Sequence, residues 1–206
     1  MPHRKHLSKD KKMKKLVETQ PGYQLEKRKQ LYLEICSSII SQQLSTKVAA
    51  VIYGRFLGLF KKKRPTPQEI LAVPHEQLRA VGLSNAKANY VKNVCRFFIE
   101  HKLTDAKLHK MENEDFIEFI TQIKGIGRWS AEMILMFTLG REDIFSVDDL
   151  GIQQAMTKLY KLDATDKKGM KLKMTAIAEK WSPYRTYACR YLWGWKDNTP
   201  KTKTTD

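Results

Sequence analysis

The stretch Ile123-Lys124-Gly125-Ile126-Gly127-Arg128-Trp129 lies between two segments whose apolar residues recur at helical spacing. The segment before it carries Phe116 and Ile120, and a strongly apolar segment over about residues 128–139 follows it. Glycine has no Cβ, so Gly125 and Gly127 can take positive φ in a very tight turn and let another backbone come close. The second helix would start with unpaired amides at its positive dipole end, which favours phosphate binding. A glycine turn at an ordinary corner between two helices is the alternative.

The rest of the chain also has a helical pattern. Apolar residues recur at helical spacing within residues 24–43, from about 45 to 59 and across 84–98, and no segment alternates with a period of two. We therefore predict an all-α fold of about ten helices, with a folded domain over residues 21–195. Residues 1–20 are basic and residues 196–206 are polar, and we expect both ends to be mobile.

The composition indicates a polyanionic partner. The 206 residues include 38 Lys and Arg against 22 Asp and Glu, which gives a formal net charge of +16. Nucleic acid is the commonest partner for such an excess, although a solvated basic surface or an acidic membrane face would also fit. The chain has no run of about eighteen apolar residues, and its first residues lack the apolar core of a secretory signal. We expect an intracellular protein that does not span a membrane.

The three cysteines exclude several classes of metal and disulfide site. Cys36, Cys95 and Cys189 are odd in number, far apart in sequence, and form no C-x-x-C pair. This spacing argues against a disulfide framework, a structural zinc site and a four-cysteine iron–sulfur cluster. Each cysteine has apolar neighbours, so we expect a small core residue at each position.

The string at residues 123–131, Ile-x-Gly-Ile-Gly-Arg-Trp-Ser-Ala, resembles the helix-hairpin-helix of the DNA glycosylase superfamily. This resemblance implies two helical lobes flanking a DNA-binding cleft, with a hairpin that grips the DNA backbone without reading its sequence. The backbone contacts would come from Gly125, Ile126, Gly127 and Arg128. In that family, hairpin carbonyls often hold a monovalent cation, Na⁺ or K⁺, and here they would be those of Thr121, Ile123 and Ile126. The chain has Lys124 where the family usually has proline.

An aspartate follows the hairpin at the distance that the family uses. In Phe145-Ser146-Val147-Asp148-Asp149-Leu150-Gly151-Ile152, Asp149 lies twenty-two residues after Gly127. The resemblance places Asp149 at the mouth of the base pocket as the catalytic carboxylate. Breaking an N-glycosidic bond develops positive charge on the deoxyribose, and a nearby carboxylate can stabilise that charge or deprotonate an attacking water. The alternative, that Asp149 caps the next helix, is compatible with this role.

The residue two positions after Gly127 separates two kinds of glycosylase. Relatives that also cut the DNA strand, such as endonuclease III, have a lysine there that attacks the sugar and forms a Schiff base. This chain has Trp129 at that position, and neither of its neighbours, Arg128 and Ser130, can form an imine. The resemblance therefore implies a monofunctional enzyme that uses water and leaves an abasic site.

Further segments resemble the compact form of the 3-methyladenine DNA glycosylase II branch, namely residues 41–45, 82–84 with Lys87, 147–152 and 181–188. By this resemblance, Trp129 and Trp193 would line an aromatic base pocket. A base alkylated on a ring nitrogen is cationic, so aromatic faces can bind it with a cation–π contribution. Core packing is the alternative for each tryptophan, and for Trp181 it is the better interpretation.

The turn at Gln42-Gln43-Leu44 matches the wedge loop of the family. The target base must leave the duplex to be reached, and a side chain must then fill the gap. Gln43 and Leu44 are the candidates for this wedge, although Leu44 could instead be a core residue at a helix end.

Together these features predict a monofunctional DNA glycosylase that acts as a monomer on double-stranded DNA containing damaged bases. Its substrates would be alkylated purines of the 3-methyladenine and 7-methylguanine type. Beyond the hairpin cation we expect no cofactor. Two alternatives stay open: a glycosylase for uracil, hypoxanthine or ethenoadenine, and a non-catalytic module that binds damaged DNA.

Overall fold

A computed structural model describes residues 1–198, and within that range the chain forms thirteen α-helices and no strand. The all-α prediction is confirmed, with more helices than the ten or so expected. None of the helices within residues 1–198 is both long and apolar enough to cross a membrane. The helices are α1 (Pro2–Leu7), α2 (Lys11–Thr19), α3 (Leu31–Ser41), α4 (Thr46–Gly58), α5 (Pro67–Ala72), α6 (His75–Ala80), α7 (Asn85–Glu100), α8 (Asp105–Lys110), α9 (Asn113–Ile120), α10 (Arg128–Phe137), α11 (Leu150–Tyr160), α12 (Lys167–Glu179) and α13 (Arg185–Asn198).

The helices divide into two compact units, which matches the two helical lobes that the resemblance implies. The first, here called the hairpin unit, is Lys27–Leu139 and contains α3 to α10. The second, here called the aspartate unit, combines Met1–Glu26 with the chain from Gly140 onward and contains α1, α2 and α11 to α13.

Each unit has its own apolar core. In the hairpin unit α7 packs against α3 and α5, and in the aspartate unit α11 and α2 pack against α13. The three cysteines are core residues, as expected: Cys36, Cys95 and Cys189 are each 0% exposed.

The N-terminus does not fit the expectation that residues 1–20 are mobile. Both α1 and α2 fold into the aspartate unit, with Leu7, Met13 and Leu16 buried. The His3 ring stacks on Tyr187 with 3.9 Å between ring centroids. The lysines that suggested a mobile segment are exposed on the outer side of these two helices. These helices therefore have an exposed charged face and a buried apolar face, where a mobile segment was expected.

Asp10 fixes this segment to the rest of its unit. Its carboxylate caps α2 by accepting the amides of Lys12 at 2.8 Å and Met13 at 3.3 Å. It also accepts the Tyr160 hydroxyl at 2.6 Å and the Trp181 indole N–H at 3.3 Å. Burial by itself would raise the pKa of Asp10, but these hydrogen bonds hold the pKa below its ordinary value. Trp181 is 1% exposed and is a core residue, as expected.

The C-terminal end of the folded domain also differs from the prediction, which placed it at residue 195. Helix α13 continues to Asn198, whose side chain donates to the Gly194 carbonyl at 2.8 Å. Residues 196–198 are therefore helical rather than part of a polar tail. The rest of the expected tail, residues 199–206, lies outside the described residues.

Replacing Asp10 tests how firmly the N-terminal helices are held. We expect Asp10→Ala to lower the free energy of unfolding by about 1–3 kcal/mol, because it removes a helix cap and leaves the half-buried Tyr160 hydroxyl and the buried Trp181 indole N–H without their acceptor. Because the folded pKa is depressed, this loss should be complete above the ordinary pKa of aspartate and disappear as the pH falls through the folded value. Urea denaturation at several pH values measures it. Glu18→Ala, which removes an exposed ion pair with Lys14, is the control. Equal stabilities of the two variants at neutral pH would contradict the role of Asp10.

Candidate functional site

The predicted hairpin joins α9 to α10. The Ile123 amide donates to the Ile120 carbonyl at 3.1 Å, and the Ile126 amide donates to the Ile123 carbonyl at 3.0 Å. Ile123 and Ile126 are buried and anchor the turn between them. The short connection brings the first turn of α10 to the surface.

The two hairpin glycines have different roles. Gly125 has a φ of +112°, and a Cβ there would lie 2.3 to 2.8 Å from side-chain carbons of Tyr90. Gly127 has a φ of −95° and a ψ of 173°, which any residue can adopt, and a Cβ there would meet nothing within 4 Å. The prediction of positive φ is therefore right for Gly125 and wrong for Gly127. As N-cap of α10, Gly127 has no side chain to cover the first-turn amides, which leaves room for an anion to approach.

The side chain of Arg128 is engaged by two acids. Its guanidinium donates to both carboxylate oxygens of Glu114 at 2.9 and 3.0 Å and to Glu132 at 3.2 Å. The hydrogen bond with Glu114 is the largest cause of a raised pKa of Arg128. The contact of Arg128 with the DNA backbone stays a prediction, and its amide lies in the first turn of α10.

The three carbonyls expected to hold a cation lie in the same turn. The carbonyl of Ile123 accepts the Ile126 amide, and it keeps a second lone pair. The carbonyl set at Thr121, Ile123 and Ile126 is thus chemically suited to a monovalent cation, and the site stays a prediction.

The predicted wedge residues lie in the turn between α3 and α4, residues 42–45, here called the wedge turn. Gln43 is exposed and has a φ of +58°, and Leu44 is half-buried. Two side chains that were not predicted as wedge residues make hydrogen bonds here, Gln42 within the turn and Lys87 on α7. Gln42 Nε2 donates to the Gly125 carbonyl at 3.2 Å, and Lys87 Nζ donates to the carbonyls of Ile40 at 2.9 Å and Gln42 at 2.6 Å.

In the aspartate unit, the expectation that Asp149 caps the next helix is confirmed, and its catalytic role stays a prediction. It is the N-cap of α11, and its Oδ1 accepts the Ile152 amide at 2.8 Å. The same oxygen accepts the indole N–H of Trp193 at 2.8 Å. Asp149 is 8% exposed, whereas its neighbour Asp148 is exposed and forms an ion pair with Lys171 at 2.6 Å. The two aspartates therefore have distinct surroundings, and Asp149 is the one held by a helix and an indole.

Gly151 makes the approach of Trp193 possible. A Cβ on Gly151 would lie 3.0 Å from Trp193 Cδ1 and 3.1 Å from Asp149 Oδ1, which is closer than most carbon contacts allow. The sequence contains Gly151 in the aspartate loop, but no local pattern indicates that an indole 42 residues later packs on it. Trp193 thus contacts the candidate catalytic group directly.

The two tryptophans predicted to line the base pocket belong to different units. Trp129 is in the first turn of α10 in the hairpin unit and is 46% exposed, so it is not a core residue. Trp193 is on α13 in the aspartate unit and is half-buried. The structure brings together Asp149 with Trp193 and the hairpin with the wedge turn.

Comparison with known proteins agrees with this geometry. Residues 36–183 match the family model described as "HhH-GPD superfamily base excision DNA repair protein". The chain is 38% identical over 186 residues to DNA-3-methyladenine glycosylase 1 of Schizosaccharomyces pombe, covering 89% of this chain and 80% of that protein. It is 34% identical over 161 residues to a putative DNA-3-methyladenine glycosylase of Bacillus subtilis, covering 75% of this chain but 55% of that longer protein.

A solved structure of the Schizosaccharomyces pombe 3-methyladenine DNA glycosylase in complex with abasic DNA is also similar. It superposes with a TM-score of 0.85 at 33% identity, covering 98% of this chain and 100% of that one. The family model and the relatives lead to one conclusion: the chain belongs to the HhH-GPD superfamily of base excision DNA repair proteins.

Proposed function

We propose that this protein is a monofunctional DNA glycosylase that removes alkylated purines, of the 3-methyladenine and 7-methylguanine type, from duplex DNA. The observation that carries the proposal is Asp149, a carboxylate held at a helix N-terminus by Ile152 and Trp193. The relatives named DNA-3-methyladenine glycosylase support the substrate class. Acting on genomic DNA would place the protein inside the cell, and we propose that it works as a monomer.

The proposed reaction begins at the hairpin. Amides of the first turn of α10 would donate to a DNA phosphate that enters the open space at Gly127. A monovalent cation on the hairpin carbonyls would add positive charge facing the same phosphate. Exposed lysines and arginines would contribute further attraction that depends on salt.

Excision would need the damaged nucleotide to leave the base stack. An alkylated purine is cationic, so the bonding electrons of the N-glycosidic bond can leave with the base without prior protonation. The carboxylate of Asp149 would stabilise the positive charge that develops on the sugar, while a water supplies the oxygen that bonds to C1′ and loses its proton. The products are the free base and an abasic site.

The aromatic side chains suit a cationic leaving group. Trp129 exposes its ring at the surface of the hairpin unit, where a base could stack on it. The position of Trp129 in the hairpin is the one that strand-cleaving relatives use for a lysine, so no Schiff base can form there. The proposed enzyme therefore stops at the abasic site.

Asp149→Asn tests the catalytic group. We expect it to reduce the excision rate about a hundred- to a thousandfold because the amide carries no charge to stabilise the transition state. Affinity for DNA with an abasic-site analogue should change little. Release of 3-methyladenine from methylated DNA, followed by chromatography, measures the rate. Asp148→Asn is the matched control, and a loss of equal size in both variants would argue against Asp149 as the catalytic group.

Trp193→Phe tests the indole hydrogen bond and keeps an aromatic ring. We expect the excision rate to fall about tenfold because Asp149 loses one of its donors. Trp195→Phe is the control, since Trp195 is on the same helix and packs on Lys158. Single-turnover rates on methylated DNA decide the outcome. If both phenylalanine variants keep the full rate, the indole N–H contributes nothing to catalysis.

The hairpin glycines provide a paired test of binding against stability. Gly127→Ala should weaken binding to duplex DNA about tenfold by blocking one amide–phosphate contact, with an unchanged melting temperature. Gly125→Ala should instead lower the free energy of unfolding by about 1–3 kcal/mol, because the alanine would need a positive φ and would overlap Tyr90. Fluorescence anisotropy and urea denaturation measure the two effects. Full DNA affinity in Gly127→Ala would remove the hairpin from the proposed interface.

A further inference from the structure

We propose that Gln42 and Lys87 are positioning residues that tie the wedge turn to the hairpin, so that gripping the DNA backbone also places the wedge. The inference rests on the proposed function, because a wedge has a role only if a base leaves the duplex. It concerns residues 42–45, the hairpin and α7, all of which belong to the hairpin unit.

Lys87 is hydrogen-bonded to the backbone of α3 and of the wedge turn. Its ammonium donates to the carbonyl of Ile40, in the last turn of α3, and to that of Gln42, the first residue of the wedge turn. Carbonyls at a helix C-terminus lack partners within the helix and carry the negative end of the helix dipole, so a cation is well matched to them. Burial lowers the pKa of Lys87, consistent with an ammonium withdrawn from water against these carbonyls.

Gln42 connects the wedge turn to the hairpin. Its amide nitrogen donates to the Gly125 carbonyl at 3.2 Å and lies 3.4 Å from the Ser130 hydroxyl. One partner is in the hairpin turn and the other is in the first turn of α10. A single side chain thus connects the wedge turn to the segment that would bind a DNA phosphate.

The backbone of Gln43 shows why such support is needed. A φ of +58° is costly for a residue with a Cβ, and it persists only where the surroundings determine the conformation. The turn is closed by the Leu44 amide on the Ser41 carbonyl at 3.1 Å. Gln42 and Lys87 hold the chain just before Gln43. The side chains of Gln43 and Leu44 therefore project from a backbone of fixed position.

The link between the wedge turn and the hairpin would affect base flipping rather than cleavage of the glycosidic bond. The distance along a duplex from a bound phosphate to the gap left by a flipped base is set by the DNA. A wedge held at a fixed place relative to the phosphate site therefore enters the gap without a further search. Loss of the tie should slow excision when the base is paired, and should matter little when the base has no partner to leave.

The experiment compares two duplexes that contain a single 7-methylguanine, opposite cytosine in one and opposite an abasic-site analogue in the other. We expect Gln42→Ala to slow single-turnover excision about tenfold in the paired duplex and less than about twofold in the unpaired one. Lys87→Gln should give the same pattern. The ratio of the two rates is taken within each variant, so a smaller folded fraction lowers both rates and leaves the ratio unchanged.

Asn93→Ala is the matched control. Asn93 Nδ2 donates to the Lys124 carbonyl at 3.3 Å, next to the carbonyl that Gln42 uses. Within residues 1–198, Asn93 makes no hydrogen bond to the wedge turn. Its removal should not change the ratio of paired to unpaired rates. An unchanged ratio in Gln42→Ala and Lys87→Gln, or an equal change in Asn93→Ala, would overturn the inference. If the wild-type protein excises 7-methylguanine from neither duplex, the proposed function fails instead.

Discussion

The hairpin and its contact with the wedge turn depend on one close approach, that of the Gly125 backbone to the side chain of Tyr90. The space that a Cβ would occupy is filled by Tyr90, so the turn can have this shape only with glycine. With the turn closed, the Gly125 carbonyl reaches Gln42, and α10 starts at Gly127 with its first turn uncovered. Phosphate binding and wedge placement, as proposed, both follow from that single contact.

The aspartate unit uses a glycine in a similar way. Gly151 lets the Trp193 indole come beside the α11 N-terminus, and the indole N–H then shares Asp149 Oδ1 with the Ile152 amide. Two N–H donors on one oxygen fix the orientation of the carboxylate before any substrate arrives. A preorganised charge of this kind needs no reorganisation at the moment of bond breaking, which is what makes electrostatic stabilisation effective.

Most of the fold was predictable from local sequence patterns. The features that were not predicted depend on contacts between residues far apart in the sequence. The spacing of the hairpin glycines and the position of Asp149 before a helix are local, so both were predictable. The N-terminal helices were not, because their lysines conceal the apolar spacing of Met13, Leu16 and Val17, and the tie at Asp10 comes from Tyr160 and Trp181. The hydrogen bond from Gln42 to Gly125 joins residues 83 positions apart, and no sequence pattern in either segment predicts it.

The hydrogen bond from Trp193 also bears on how the proposed substrate would be recognised. An indole whose N–H is committed to Asp149 has a fixed ring plane, so stacking a base against it costs little side-chain entropy. The Trp193 ring, proposed to contact the cationic base, is thus hydrogen-bonded to the Asp149 carboxylate, proposed to stabilise the charge on the sugar. Recognition of the base and cleavage of its bond to the sugar would then share this hydrogen-bonded pair, beside the roles proposed for Trp129 and the wedge turn.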